Sequence, residues 1–161
     1  MLIEQDLTTK VGMIGRLQAR RKLVGSREWE QIWENPIKNK VVNAGLATVA
    51  HRIISDTPKT FKYGAIGIGT TAATDSDTAC ESQILTRSKG TLTTDTTTAT
   101  GDTAKIVTSF TSDTTSYAVT EYGTFETLSG TPMLNRVTFG AVTLNLNDIL
   151  EFTYTLQVQE A

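Results

Sequence analysis

Cysteine, histidine and proline are scarce in this chain of 161 residues, which has one Cys, one His and three Pro. A single thiol, Cys80, excludes an internal disulfide and a cysteine-built metal cluster, and reads as a small buried hydrophobe. The lone histidine, His51, has no Cys/Asp cluster beside it and reads as a surface or boundary residue rather than a ligand or base. No apolar run reaches the ~18 residues that a membrane-spanning helix needs. The opening stretch, MLIEQDLTTK, lacks the apolar core of a secretory signal, which argues against export by that route.

Catalytic signatures are missing too. GIGTT (67–71) has neither the GK[ST] of a phosphate loop nor a helical pattern after it. Asp75-Ser76-Asp77 lacks the glycine and the closing glutamate of a calcium loop, so these aspartates read as cap or turn residues. Glu121 and Glu126 could pair as glycosidase carboxylates, but nothing in their spacing specifies it. The chain therefore points to no enzyme, no cofactor and no metal.

What is present is a charge asymmetry and a change of period. Residues 1–60 carry ten Lys/Arg and six Asp/Glu, whereas residues 61–161 carry five and eleven, so a +4 segment precedes a −6 one. That split suggests a basic arm that meets an acidic surface. In residues 1–25, Val11, Met13, Ile14, Leu17, Leu23 and Val24 are apolar but irregular, with Arg16, Arg20, Arg21 and Lys22 among them and three glycines interrupting. Four charges without interleaved aromatics are a weak nucleic-acid signal, and no direct nucleic-acid role is expected. Ser26 is placed to cap a short helix on which Trp29, Ile32 and Trp33 share a face. These tryptophans read either as core or as anchors for a partner. Pro36 can open a second helix, with Val42, Leu46, Val49, Ala50 and Ile53 at helical spacing, Gly45 permitting close packing, and an end near Ser55.

From Phe61 onward the period is two. A strand over Phe61–Gly69 leads through a polar loop, 70–78, to a strand with Ile84, Leu85 and Arg87. The threonine-rich stretch 91–103 reads as a strand and turn or as a loop, with Gly101-Asp102 as the turn. Alternating strands follow at 104–110, at 117–125 (Tyr117, Val119 and Phe125 on one face, Tyr122 on the other) and at 133–141, where Gly140 marks a bulge. The clearest strand is the last, with Leu150, Phe152, Tyr154, Leu156 and Val158 opposed to Glu151, Thr153, Thr155 and Gln157. Strands joined by short polar turns make a mainly β protein, an antiparallel β-sandwich or jelly roll preceded by an N-terminal extended arm and one or two helices. The expected segments are an arm with a short amphipathic helix (1–35), a helix packing on the body (36–60) and the β-sandwich (61–161).

Several segments, taken in order, resemble a family of tailed-bacteriophage structural proteins. They are Asn43-Ala44-Gly45-Leu46, YGAIGIGTTAATDSDTACESQILTR (63–87), VTEYGTF (119–125), SGTPMLNR (129–136) and LEFTYTL (150–156). The likeness covers roughly residues 40–158. It departs at Cys80, where the family pattern commonly has Leu, and at Gln83, close to its usual acidic position. The resemblance implies a virion component. The layout, an arm before a β-domain with no fibre shaft, is similar to capsid decoration (cement) proteins, whose β-domains sit as trimers on the shell. It implies a homotrimer that binds the major capsid protein at the capsid surface, is assembled in the bacterial cytoplasm, and has no membrane partner. A tail, neck or baseplate component is the alternative, and a carbohydrate-binding β-sandwich a more distant one. The expected capsid contacts are Arg16, Arg20, Arg21, Lys22, Trp29 and Trp33. The expected oligomer contacts are Gly69, Thr70, Thr71, Asp75 and Asp77.

Overall fold

The computed structural model describes residues 11–57, 60–113 and 116–160. They form two antiparallel sheets packed face to face with one helix, α1 (Asn43–Arg52). The strands are β1 (Val11–Lys22), β2 (Glu30–Gln31), β3 (Ile37–Lys38), β4 (Lys40–Val41), β5 (Tyr63–Gly67), β6 (Ser88–Lys89), β7 (Thr91–Asp95), β8 (Thr103–Thr111), β9 (Ser116–Phe125), β10 (Met133–Asn145) and β11 (Ile149–Glu160). The first sheet runs β2-β1-β11-β8-β7, with β3 also on β1, and the second runs β4-β10-β9-β5-β6. This is a mainly β sandwich, as the period-two pattern requires.

The last strand organises the first sheet. Leu150, Phe152 and Tyr154 are fully buried and Leu156 nearly so, while Glu151, Thr153 and Thr155 alternate with them. Phe152 stacks near Phe110, Tyr122, Phe139 and Trp33, with ring centroids 4.8–6.4 Å apart, a range in which aromatic pairs attract. On the facing sheet, Val119 joins Tyr122 in this core, contrary to the alternation expected for the strand. Beside it the β9–β10 register is irregular between Thr138 and Val142, where Gly140 lies as the sequence suggests. Phe125 faces the other way, into a second cluster with Val42, Ala65, Cys80 and Met133.

The expected N-terminal arm is replaced, over the described residues, by a strand inside the sheet. β1 pairs with β11 along its whole length, from Val11↔Glu160 to Lys22↔Ile149. Its inward residues are Gly15, Leu17 and Ala19, all buried. Two of these three are too small to register as core in a hydropathy pattern, and the basic residues between them face outward. Residues 1–10 of the expected arm lie outside the described residues.

The two expected helices also change. Residues 26–33 form turns and the short strand β2, because Ile32 donates its N–H to the Ala19 carbonyl (2.9 Å) and the segment is drawn against β1. Ser26 still closes a turn, its hydroxyl accepting the Glu28 N–H at 3.0 Å. The helix expected from Pro36 begins only at Asn43, since 37–41 pair with β1 and β10. Gly45 lets α1 lie against the Leu134 backbone, where a β-carbon would collide with the carbonyl oxygen. The strand expected around Ile84 and Leu85 is a loop with one isolated bridge, Gly67↔Gln83, and pairing resumes at β6.

If β1 belongs to the sandwich, Leu17→Ala is expected to destabilise the protein by about 2–5 kcal/mol, as for a core leucine. Urea unfolding measures this, and a change under about 0.5 kcal/mol, the scale of a surface substitution, would return the segment to the status of an arm.

Candidate interaction surfaces

The polar loop after β5 folds back over the outer face of the second sheet and is held there by buried charge. Glu121 (0% exposed) and Arg136 (3%) are side by side on that face, with Arg136 Nε donating to Glu121 Oε2 at 2.8 Å. Register explains the meeting, for Gly123 of β9 lies opposite Arg136 of β10 and Gly67 of β5 opposite Glu121. Neighbouring glycines leave room for the long side chains. At Gly69 a β-carbon would strike the side chains of both Glu81 and Glu121.

Glu121 also accepts three backbone N–H groups, from Gly69 (3.1 Å), Glu81 (3.0 Å) and Ser82 (2.8 Å). Arg136 donates further to Asp77 (3.0 Å) and Glu81 (3.4 Å). Burial works to raise the Asp77 carboxyl, but hydrogen bonds from Thr74 and Arg136 outweigh it and hold it below the ordinary 3.8. Glu81 is held low chiefly by the Thr71 N–H and hydroxyl. For Arg136, burial works to lower the guanidinium, while the bonds to Asp77 and Glu121 prevail and raise it. Beneath the loop, burial pushes the Cys80 thiol up to about 12, as expected of a buried, inert cysteine.

The expected oligomer contacts are therefore largely engaged within the chain. Gly69 binds Glu121, Thr71 binds Glu81, Asp77 binds Arg136, and Asp75 pairs with Lys40 at 2.9 Å. Thr70 remains exposed. Glu121, weighed as one of two catalytic carboxylates, lies buried under this loop.

The expected capsid contacts divide between two settings. Arg16, Arg20 and Lys22 project from the outward face of β1. Arg20 bonds Glu151 (2.6 Å) and lies 4.3 Å from the Trp29 ring centroid, a cation–π contact, with Lys22 Nζ 6.0 Å from the same ring. Arg16 reaches Gln157 at 3.4 Å. Arg21 bonds Glu30 and the Thr143 carbonyl, both at 2.8 Å. Trp29 is half-buried on this face. Trp33 is partly buried and packs against the core, edge-on to Phe139 at 5.0 Å. The two tryptophans thus do not form one anchor, because the segment is not helical.

A third region was not legible in sequence. Between α1 and the inner face of β7, β8 and β11 lies a cavity of about 550 Å³, lined by Val49, Phe61, Leu92, Ile106, Leu134 and Leu156 together with Arg52 and Tyr154. Next to it in the chain, Ile53 and Ile54 are 83% and 84% exposed, and Leu92 is 42% exposed. The helical spacing of Val42, Leu46, Val49 and Ile53 predicted an apolar face packed on the body, yet only Val42 is fully buried. Exposed apolar residues following an apolar cavity make this region a candidate interaction surface.

Among the described residues, no group of three His, Cys, Asp or Glu side chains is placed to hold a metal ion, and no helix is long and apolar enough to cross a membrane. Compared with protein-family models, curated proteins and solved structures, the chain matches none.

Arg136→Met would leave the Glu121 carboxylate buried without its cation. It is expected to cost about 3–5 kcal/mol and to make Cys80 reactive toward a thiol reagent that the native protein resists. Unchanged stability and a silent thiol would show that the loop is held by other means.

Acid should act on the same clamp. Asp77 and Glu81 titrate below their unfolded values, so their contribution is complete above about pH 5 and is lost as pH falls through the folded values. Relative to a free thiol measured at the same pH, reaction of Cys80 with 4,4′-dithiodipyridine is expected to accelerate as pH falls below the ordinary carboxylate values of 3.8 and 4.5. A flat profile would count against the clamp.

Proposed function

We propose that this protein is a structural component of a tailed-bacteriophage virion, a capsid decoration protein that binds the assembled head as a homotrimer and acts by binding rather than catalysis. One observation carries the reading. The segments whose residues carry the family resemblance are far apart in sequence, yet they meet in one cluster. Gly67, Gly69, Asp77 and Glu81 come from the first long segment, Glu121 from the second and Arg136 from the third, and all converge on the clamp. A pattern of loosely spaced residues that closes into one buried charge network is what a shared fold would leave in a sequence.

The mode of binding follows from the surfaces. With residues 11–22 built into the sheet, head binding rests on the face the sandwich presents, above all the apolar mouth beside α1, and on the basic outward row of β1. A partner present only on the assembled shell would stabilise that state by mass action.

The test mixes purified protein with phage heads and with detached tails and images both. Regular lattice positions on heads are the expected result. Binding to tails alone would move the protein to a neck, baseplate or fibre role, and binding to neither would overturn the virion reading.

A further inference from the structure

We propose that the free edge of β7 and the cavity behind it receive an extended partner segment in which aliphatic side chains flank one carboxylate. This names the partner chemistry of the binding surface proposed above and rests on that reading, although its test can fail separately.

The sheet edges are unequal. β2, β3, β4 and β6 have two residues each, too short to template another strand. β7 has five, and Thr91 to Thr94 are exposed, without charge or proline. Natural edges of this length are normally guarded by charge, proline or a bulge. The one charge on β7, Asp95, is held by Lys105 at 2.6 Å. Among the described residues, no strand pairs with the far side of β7.

Behind this edge the sandwich is open. Leu92 and Thr94 face inward with Ile106, Ala104 and Leu156 over the cavity. A strand added to β7 would place every second side chain over that mouth, because side chains alternate along a strand. Apolar inward residues would cover Val49, Phe61 and Leu92.

The charge of the partner follows from Arg52. Its Nε and one terminal nitrogen are shielded from solvent and make no hydrogen bond among the described residues. A guanidinium held so close to apolar walls is unfavourable until an acceptor arrives. A carboxylate offers two oxygens in the geometry its fork requires. A second copy of β7 fits less well, since its only carboxylate is engaged by Lys105. A small amphipathic acid would satisfy Arg52 and leave the edge unpaired.

The probe is a fluorescein-labelled heptapeptide, Thr-Val-Thr-Glu-Thr-Val-Thr, with a twin carrying Gln for Glu, titrated into the full chain by polarisation. The Glu peptide is expected to bind at least about tenfold more tightly than its twin. Arg52→Gln should abolish that difference, and Thr94→Lys should weaken both peptides. Equal binding of the two peptides to the native protein, or no binding up to about 1 mM, would overturn the proposal. So would self-association in sedimentation that Thr94→Lys removes, because the occupant would then be a second copy. Heads decorated by a protein that ignores the peptide would sink this inference alone. Peptide binding without head decoration would sink only the virion reading.

Discussion

Glu121 and Arg136 face each other on the outer surface of the second sheet, and much of the local architecture exists to keep that pair dry and satisfied. An isolated charge there would carry a desolvation penalty of several kcal/mol. The three backbone N–H groups that reach Glu121, and the two further carboxylates that reach Arg136, come almost entirely from one loop. The loop in turn has no extended sheet pairing to define its path. Charge positions it, and its burial of Cys80 against Phe125 and Met133 completes a second small core on a face that would otherwise be open.

The remaining structure answers a different demand, the burial of one face of β11. Phe152 lies at the meeting point of rings from Trp33, Phe110, Tyr122 and Phe139, contributed by both sheets and by the segment after β1. The apolar mouth opens where α1, β7, β8, β10 and β11 come together, and so follows from the tertiary arrangement and not from any local sequence signal.

Legibility in the sequence tracked side-chain size and locality. The β11 alternation was plain through Leu156 because its inward residues are large, and it fails beyond, where Gln157 is buried and Val158 exposed. β1 was hidden because Gly15 and Ala19 hold inward positions while Arg16 and Arg20 draw attention on the other face. Trp29, Ile32 and Trp33 have helical spacing, but a single backbone bond to Ala19 and the pairing of β2 overrode it, a long-range choice that no window of a few residues contains. Nothing near Gly67 and Gly69 in the sequence points to Glu121, which approaches both from far along the chain. Asp77 was correctly a turn residue, since it accepts the Thr74 N–H and hydroxyl, and its second partner, Arg136, was invisible. The cavity left no trace, because it is defined by atoms from five separate elements and a connecting segment.

The pairing of β1 with β11 also sets a timetable. The earliest described strand finds its longest partner in the latest one, so the widest contact in the first sheet spans nearly the whole chain. Closing so long a loop is entropically slow and delays the sheet relative to local hairpins such as β9–β10. During synthesis β2 and β3 are available to β1 soon after it, but its full-length edge has to wait until β11 has left the ribosome. Its outward row of arginines, and the small Gly15 and Ala19 that flank Leu17 on the inward face, make that waiting edge a less attractive target for premature association. The features that disguise β1 as an arm also suit a strand that must spend the early life of the molecule without its main partner.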